Sequence, residues 1–153
     1  MMSKKPSYLG LLNAVSNGET RAGVYFKAWL NLTKDPEVRS VVEMVANREA
    51  EHGLAFEKRL IELGYSLIDK PDPIADQKLA YLSNPTKSDL DRILFLGYGE
   101  PCPDQFGGFF DDHSMDPQTG ALMGRYVCEE RDTIRRLRDL AESLKSRAAA
   151  KAA

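Results

Sequence analysis

Residues 42–56 read VEMVANREAEHGLAF, and this stretch carries the pattern that decides the fold. Its apolar residues, from Val42 to Phe56, recur at steps of three and four residues, which is the spacing of one helix face. Glu49 and His52 fall on the same apolar stripe. A buried charge must be paired or bound to a metal, because leaving it alone is costly. Since residues three apart on a helix present their side chains side by side, the pair suits a metal with oxygen and nitrogen ligands.

The stretch lies in a helix with a clear start and end. Residues 35–37, which read DPE, offer a capping aspartate, a proline at the first helical position and an acid in the first turn. Gly64 is suited to the turn that ends the helix. Residues 7–32 show the same helical spacing, and Glu19 falls in line with their apolar residues. Because the link between the two helices is short, we expect helices 1 and 2 to be antiparallel neighbours.

The second half of the chain is less regular. Prolines in residues 65–87 favour a long connection, within which only residues 75–82 could form a short helix. Residues 88–96 predict a third helix that is short or broken, because glycines and prolines follow it directly. The Asp-Pro pair at 116–117 repeats the start signal for a fourth helix, and we expect residues 145–153 to form a frayed tail. No segment alternates like a strand, so the sequence predicts an all-α fold.

A repeat between the two halves would place further acids in the same layer. Glu130 is the inward-facing acid of the fourth helix, because it lines up with the apolar residues around it. Glu19 and Glu49 are 30 residues apart, and the position 30 residues before Glu130 is Glu100. The candidate metal ligands are therefore Glu19, Glu49, His52, Glu130 and Glu100.

Two features break the repeat. Thr133 stands where the pattern would place a second histidine, and Pro101 directly after Glu100 biases that residue away from helical geometry. An alternative register uses Glu129 with Asp132, although both acids lie further off the apolar stripe. The sequence leaves open which of these acids takes part.

The first half of the chain also carries a family resemblance. Segment 14–22, AVSNGETRA, with the aromatic pair at 25–26 and the Glu-x-x-His block at 48–53, resembles the first helical pair of the rubrerythrin and ferritin-like superfamily. The similarity covers residues 8–64. It implies a ferritin-like four-helix bundle with a long crossover between helices 2 and 3, which residues 65–87 could provide.

In this superfamily two irons sit in the middle of the bundle. The resemblance implies that Glu19 is the terminal carboxylate of one iron, Glu49 a bridging ligand and His52 an imidazole ligand. Glu130 would supply the other bridge, and Glu100 the second terminal carboxylate. The implied cofactor is iron, as two ions or as one if the second half-site is lost.

The resemblance also implies a function. Members of the superfamily react ferrous iron with dioxygen or hydrogen peroxide, as ferroxidases, peroxidases or oxidases. A tyrosine often follows the first glutamate by seven residues, but this chain has Phe26 there, and Tyr25 is turned about 100° away. No rubredoxin-like cysteine set follows the helices, so an electron donor would be a separate molecule. The alternative is a bundle whose metal site has decayed and which serves as a binding or dimerisation module.

Composition sets the remaining expectations. A length of 153 residues is that of one domain, covering residues 1–153. The formal charge of -2 leaves no electrostatic footprint for nucleic acid, no apolar run approaches the roughly 20 residues of a membrane span, and no signal peptide is recognisable. We therefore expect a cytoplasmic homodimer, with neither nucleic acid nor membrane as a partner. Cys102 and Cys128 are expected to be free thiols.

Overall fold

The computed structural model describes residues 5–153, and all of their regular structure is helical. The α-helices are α1 (Leu9–Leu32), α2 (Pro36–Glu62), α3 (Pro73–Leu82), α4 (Asp89–Phe95) and α5 (Pro117–Ala152), and a 3₁₀ turn covers Gly107–Phe110. No strand is present between residues 5 and 153, so the predicted all-α class is confirmed. Within this range, no helix combines the length and the apolar character that crossing a membrane requires.

Three helices begin with an aspartate followed by a proline. Asp35, Asp72 and Asp116 each accept hydrogen bonds from two backbone N–H groups of the first turn. The starts of α2 and α5 are thereby confirmed, whereas α3 begins slightly before the predicted range. After α2 ends at Glu62, Gly64 adopts a φ of +84°, the left-handed conformation expected of a glycine that terminates a helix.

The C-terminal tail differs from the prediction. We expect residues 145–153 to fray, but α5 continues to Ala152. Alanine has the highest helix propensity, which favours helix in this alanine-rich end. In addition, Arg147 donates a hydrogen bond of 2.7 Å to Asp35 and lies 3.1 Å from Glu37. These ion pairs tie the later turns of α5 to the start of α2.

The helices enclose two apolar clusters. α1 packs along α2, α3 packs on α1, and α5 packs against both α2 and α4. The first cluster includes Phe26, Trp29, Val42, Val45, Ile93 and Leu137, and the second includes Leu12, Val15, Phe56, Leu60, Met123 and Val127. Along α1, α2 and α5 alike, a short polar stretch separates the residues of one cluster from those of the other. We call this stretch the polar layer; it contains Glu19, Glu49, His52 and Glu130.

The third predicted helix is short, as expected. α4 begins with a capping box, in which the Ser88 and Asp91 side chains bond to each other's backbone, and it ends at Phe95. Gly97 then adopts a φ of +89°, which glycine tolerates far better than other residues. The chain turns there, and segment 96–116 contains no α-helix.

Candidate metal centre

The polar layer brings together four of the five predicted ligands. α1 contributes Glu19, α2 contributes Glu49 and His52, and α5 contributes Glu130. The side chains of Glu19, His52 and Glu130 are 12%, 4% and 11% exposed, and Glu49 is 4% exposed. Because each residue follows the apolar stripe of its own helix, packing the three stripes together also brings these polar side chains together.

Three ligand atoms in the layer point towards one another. His52 Nδ1 lies 3.5 Å from Glu19 Oε2 and 3.3 Å from Glu130 Oε1. One ligand atom from each of these residues lies within 4.8 Å of the other two. All three atoms are buried, and none has a hydrogen-bond partner among the residues that the structure describes. Since buried polar atoms are almost always hydrogen-bonded, three unpartnered atoms that converge on one point fit a bound cation.

Glu129 orients the histidine. Its Oε2 lies 2.6 Å from His52 Nε2, and its Oε1 accepts a hydrogen bond of 3.0 Å from Arg125. When Nε2 carries the proton and donates it to Glu129, the lone pair of Nδ1 is directed at the converging carboxylate oxygens. Metal-bound histidines usually have this arrangement, in which a carboxylate accepts the proton of the other ring nitrogen.

The acids of the layer have pKa values that are shifted in different directions. Burial raises the pKa of Glu49 well above its ordinary value, and the neighbouring Glu19 and Glu130 raise it further. Burial also raises the pKa of Glu19, but contacts with His52, Glu49 and Tyr126 outweigh burial and lower it. A cation among these acids would offset the repulsion that raises the pKa of Glu49.

His52 competes with a metal ion for the same place. Burial lowers its pKa, but contacts with Glu130, Glu19 and Glu129 outweigh burial and raise the pKa to about 10. An imidazolium and a divalent cation would each neutralise the surrounding acids. The layer can therefore take up either a proton on His52 Nδ1 or a metal ion beside it.

A cavity of about 540 Å³ opens onto the polar layer. Its walls include Glu19, Glu49 and Glu130 together with apolar and aromatic side chains such as Phe26 and Phe106. A concave site that combines apolar walls with converging polar groups is suited to a small molecule. The cavity gives a small molecule access to the candidate centre.

Three tyrosines line the same cavity. The hydroxyl of Tyr126 donates a hydrogen bond of 2.9 Å to Glu19 Oε1, while Tyr25 and Tyr98 line the wall from α1 and from the segment after α4. Burial raises the pKa of all three hydroxyls, and nearby acids raise it further. The phenols therefore stay protonated at neutral pH, and that of Tyr126 acts as a hydrogen-bond donor.

The structure does not bring Glu100 to the cluster. Glu100 is exposed and lies along a surface groove with Arg131 and Arg135. α4 ends at Phe95, and Pro101 disfavours helical geometry at the preceding residue, so no helix carries position 100 inward. The repeat that selects Glu100 in the sequence is therefore not reproduced in the fold.

Of the alternative pair, Glu129 reaches the polar layer and Asp132 does not. Asp132 forms ion pairs with Arg48, Arg135 and Arg136 at 3.1, 2.6 and 2.7 Å. Its carboxylate is occupied by these arginines, which leaves Glu129 as the acid that contacts the histidine.

Sequence reasoning missed several residues of this site. Tyr126 lies four residues before Glu130, so the helical spacing that selects Glu130 would also have selected Tyr126. Tyr25, expected to turn away from the inward position, lines the cavity because the cavity extends along that side of α1. Tyr98, which follows the turn after α4, carries no signal in the sequence. Glu129 is named by the alternative register, but its contact with the histidine forms only when the helices pack.

Comparisons of the chain with protein-family models, with curated proteins and with solved structures find no match. The resemblance to the ferritin-like superfamily therefore stays a prediction. The structure itself defines a class: an all-helical protein with a buried cluster of Glu19, His52 and Glu130 that could hold a metal ion.

Proposed function

We propose that this chain is a ferritin-like metal-binding protein, in which an iron carboxylate centre acts as an oxidoreductase towards dioxygen or hydrogen peroxide. The observation that carries the proposal is the set of buried, unpartnered atoms on Glu19, His52 and Glu130. Glu49 is a fourth potential donor, since it is buried and lines the same cavity as Glu19 and Glu130.

The donor set and the cavity are compatible with iron. Carboxylate oxygens and one imidazole suit iron(II), manganese(II) and zinc(II), whereas structural zinc sites usually recruit thiolates. Cys102 and Cys128 are free thiols, as predicted, and the cluster contains oxygen and nitrogen donors. With these few protein donors, a bound ion would keep open positions that dioxygen or peroxide could reach through the cavity. Iron(II) supplies the electrons that reduce either oxidant.

Residues of the chain prepare the centre for a cation. When His52 Nε2 donates its proton to Glu129, the Nδ1 lone pair is directed at the cluster, and Tyr126 holds one oxygen of Glu19 so that the other oxygen points inward. The apolar clusters on either side of the polar layer shield it from solvent on two sides, which strengthens electrostatic interactions within it.

The proposal includes the topology of the bundle. α1 and α2 would form the first helical pair and α4 and α5 the second, with the segment that contains α3 as the crossover. In this arrangement α4 is the short third helix. The expected homodimer, the cytoplasmic location and the separate electron donor belong to the same proposal.

Metal content tests the proposal. Protein purified from iron-supplemented cells should carry about one iron or more per chain by mass spectrometry, and the Glu49→Ala/His52→Ala variant should carry none. The matched control is Glu100→Ala/His113→Ala, which removes the same two residue types from exposed positions and should keep its iron. Equal iron in all three proteins would contradict the proposal.

Turnover is measured separately. Ferrous iron loaded under anaerobic conditions should oxidise faster on adding oxygen or peroxide with the wild type than with the Glu49→Ala/His52→Ala variant. If the wild type binds iron but oxidises it no faster than the variant does, the result would support the metal centre and contradict the oxidoreductase activity.

A second candidate function rests on His52. Because its pKa is about 10, an imidazolium could balance the acids of the polar layer without a metal. The chain would then be a bundle with a decayed site that serves as a binding or dimerisation module. Iron near zero in both the wild type and the Glu49→Ala/His52→Ala variant, with unchanged helicity, would favour this function.

A further inference from the structure

Arg48 is a cation of α2 that is fixed against α5 next to the polar layer. Its Nη1 donates to the backbone oxygen of Glu129 at 3.0 Å, to Thr133 Oγ1 at 3.0 Å and to Asp132 Oδ2 at 3.1 Å. Its side chain is 20% exposed. The position of this charge is therefore set by three contacts to one turn of α5.

Thr133 occupies the position on α5 that His52 occupies on α2. His52 follows Glu49 by three residues, and Thr133 follows Glu130 by three residues and is 1% exposed. Bundle di-metal sites take a Glu-x-x-His pair from each of two helices, so a second ion would need an imidazole here. This chain offers a hydroxyl instead, and that hydroxyl already accepts a hydrogen bond from Arg48.

The charge of Arg48 is held against the turn of α5 that carries Glu130. Arg48 Nη1 contacts the backbone oxygen of Glu129 and Thr133 Oγ1, which lie one residue before and three residues after Glu130 in the sequence. Like charges repel, so a second divalent ion bound by Glu130 and a ligand at position 133 would meet a guanidinium that α5 holds in place.

We propose that the centre holds one metal ion per chain, and that Arg48 takes the place of the second cation. This inference rests on the proposed function, because it specifies how many ions the same site accepts. It assigns the donors Glu19, Glu49, His52 and Glu130 to that ion, and it makes Arg48 the residue that sets the stoichiometry.

Anaerobic loading with excess Fe²⁺, followed by desalting and metal analysis, tests the inference. We expect about one iron per chain in the wild type and about two in Arg48→Gln/Thr133→His, which removes the fixed charge and supplies the missing imidazole. Thr133→His alone is the matched control and should stay near one, because Arg48 remains. After exposure to air, electron paramagnetic resonance separates an isolated ferric ion from a spin-coupled pair.

The single variant Arg48→Gln keeps the inference testable if the double variant does not fold. Removing a nearby positive charge should tighten binding of the first Fe²⁺ roughly threefold to tenfold, whereas damage to the structure would weaken it. Weaker binding in Arg48→Gln, or one iron in a folded double variant, would overturn the role of Arg48.

The iron content of the wild type distinguishes a failure of this inference from a failure of the proposed function. Two irons per chain with Arg48 in place would overturn the inference and leave the proposed function intact. No iron in the wild type would overturn the proposed function, and the inference with it.

Discussion

Glu129 supports the candidate centre by way of His52. One of its oxygens lies 2.6 Å from His52 Nε2, and the other accepts a hydrogen bond from Arg125. Glu129→Ala removes the group that fixes the orientation of the ring, so we expect the affinity for Fe²⁺ to fall roughly 10- to 100-fold. Anaerobic competition against a coloured chelator measures this change.

Glu51→Ala is the matched control for that variant. Glu51 also accepts a hydrogen bond from Arg125, at 2.6 Å, but its side chain is 57% exposed on the outer side of α2. Its removal should leave the affinity for Fe²⁺ unchanged. Equal losses in the two variants would show that the ion pairs of Arg125, rather than the orientation of the histidine, carry the effect.

Asp116 joins the start of α5 to the rest of the molecule. It accepts hydrogen bonds from Thr119 at 2.6 Å, from Tyr8 at 2.8 Å and from Arg59 at 2.9 Å. The bond from Thr119 contributes most to holding its pKa well below the ordinary value of 3.8. Because the folded pKa lies below the unfolded one, this stabilisation is complete above about pH 4 and is lost as the pH falls.

Asp116→Asn keeps the shape of the cap and removes its charge. We expect the free energy of unfolding to fall by about 1 kcal/mol at pH 7, since the charged hydrogen bonds become neutral ones. The difference in the free energy of unfolding between wild type and variant should decrease steadily below pH 4. Urea unfolding of both proteins at pH 7, 4 and 3 measures it, and a difference that stays constant to pH 3 would contradict the assigned pKa shift.

The two long helices of the first half approach each other closely at a glycine. Ser16 Oγ donates a hydrogen bond of 2.8 Å to the backbone oxygen of Gly53. A methyl group at Gly53 would overlap Thr20 Oγ1 and lie 3.0 Å from the Thr20 backbone nitrogen. Gly53→Ala should therefore destabilise the protein by about 1–3 kcal/mol, although alanine is otherwise the better helix former by about 1 kcal/mol.

Gly124→Ala provides the comparison. Gly124 lies inside α5, and an added methyl group would meet nothing within 4 Å, so helix propensity alone should decide the result. We expect stabilisation of up to about 1 kcal/mol. Urea unfolding measures both variants, and stabilisation by Gly53→Ala would contradict the close approach of α1 and α2.

Helices of this chain are predictable where a cap and an apolar stripe agree. Residues 35–37 and 116–117 combine an Asp-Pro cap with a long stripe, so the sequence predicts the starts of α2 and α5. The third Asp-Pro pair, at 72–73, precedes only a short helix, and its start is predicted too late. The end of α5 depends on alanine propensity and on Arg147, whose partners are distant in sequence.

The candidate site is predictable where its residues lie on the stripe of their own helix. Glu19, Glu49, His52 and Glu130 satisfy this condition, and the structure brings them into one layer. Glu100 rests on a repeat that the turn after α4 breaks. Contacts that form only when helices pack together, such as the one between Glu129 and the histidine, have no counterpart in the periodicity of a single helix.

Across the whole molecule, the polar layer separates apolar clusters that could otherwise be continuous. Burying several acids and a histidine costs stability, and well-packed apolar residues in their place are often neutral or stabilising. The layer is therefore poorly explained as a source of stability. A ligand that binds the folded layer would recover part of this cost.

A metal that binds only the folded chain must raise the stability of the whole molecule. With Fe²⁺ at about 100 times its Kd, the free energy of unfolding should rise by about 2.7 kcal/mol, which corresponds to a Tm increase of about 5–10 °C for a chain of this length. Anaerobic thermal unfolding with and without Fe²⁺ measures the increase. His52→Leu should lose it.

That comparison uses the Fe²⁺-induced shift rather than the absolute Tm, because removing His52 alone leaves the acids of the layer without their counter-charge. Fe²⁺ should raise the Tm of the Glu100→Ala/His113→Ala variant as much as that of the wild type. Both of its positions are exposed, and Glu100 lies outside the cluster. If Fe²⁺ raised the Tm of His52→Leu as much as that of the wild type, the ion would bind elsewhere on the molecule. The polar layer would then owe its charge balance to the imidazolium of His52 alone.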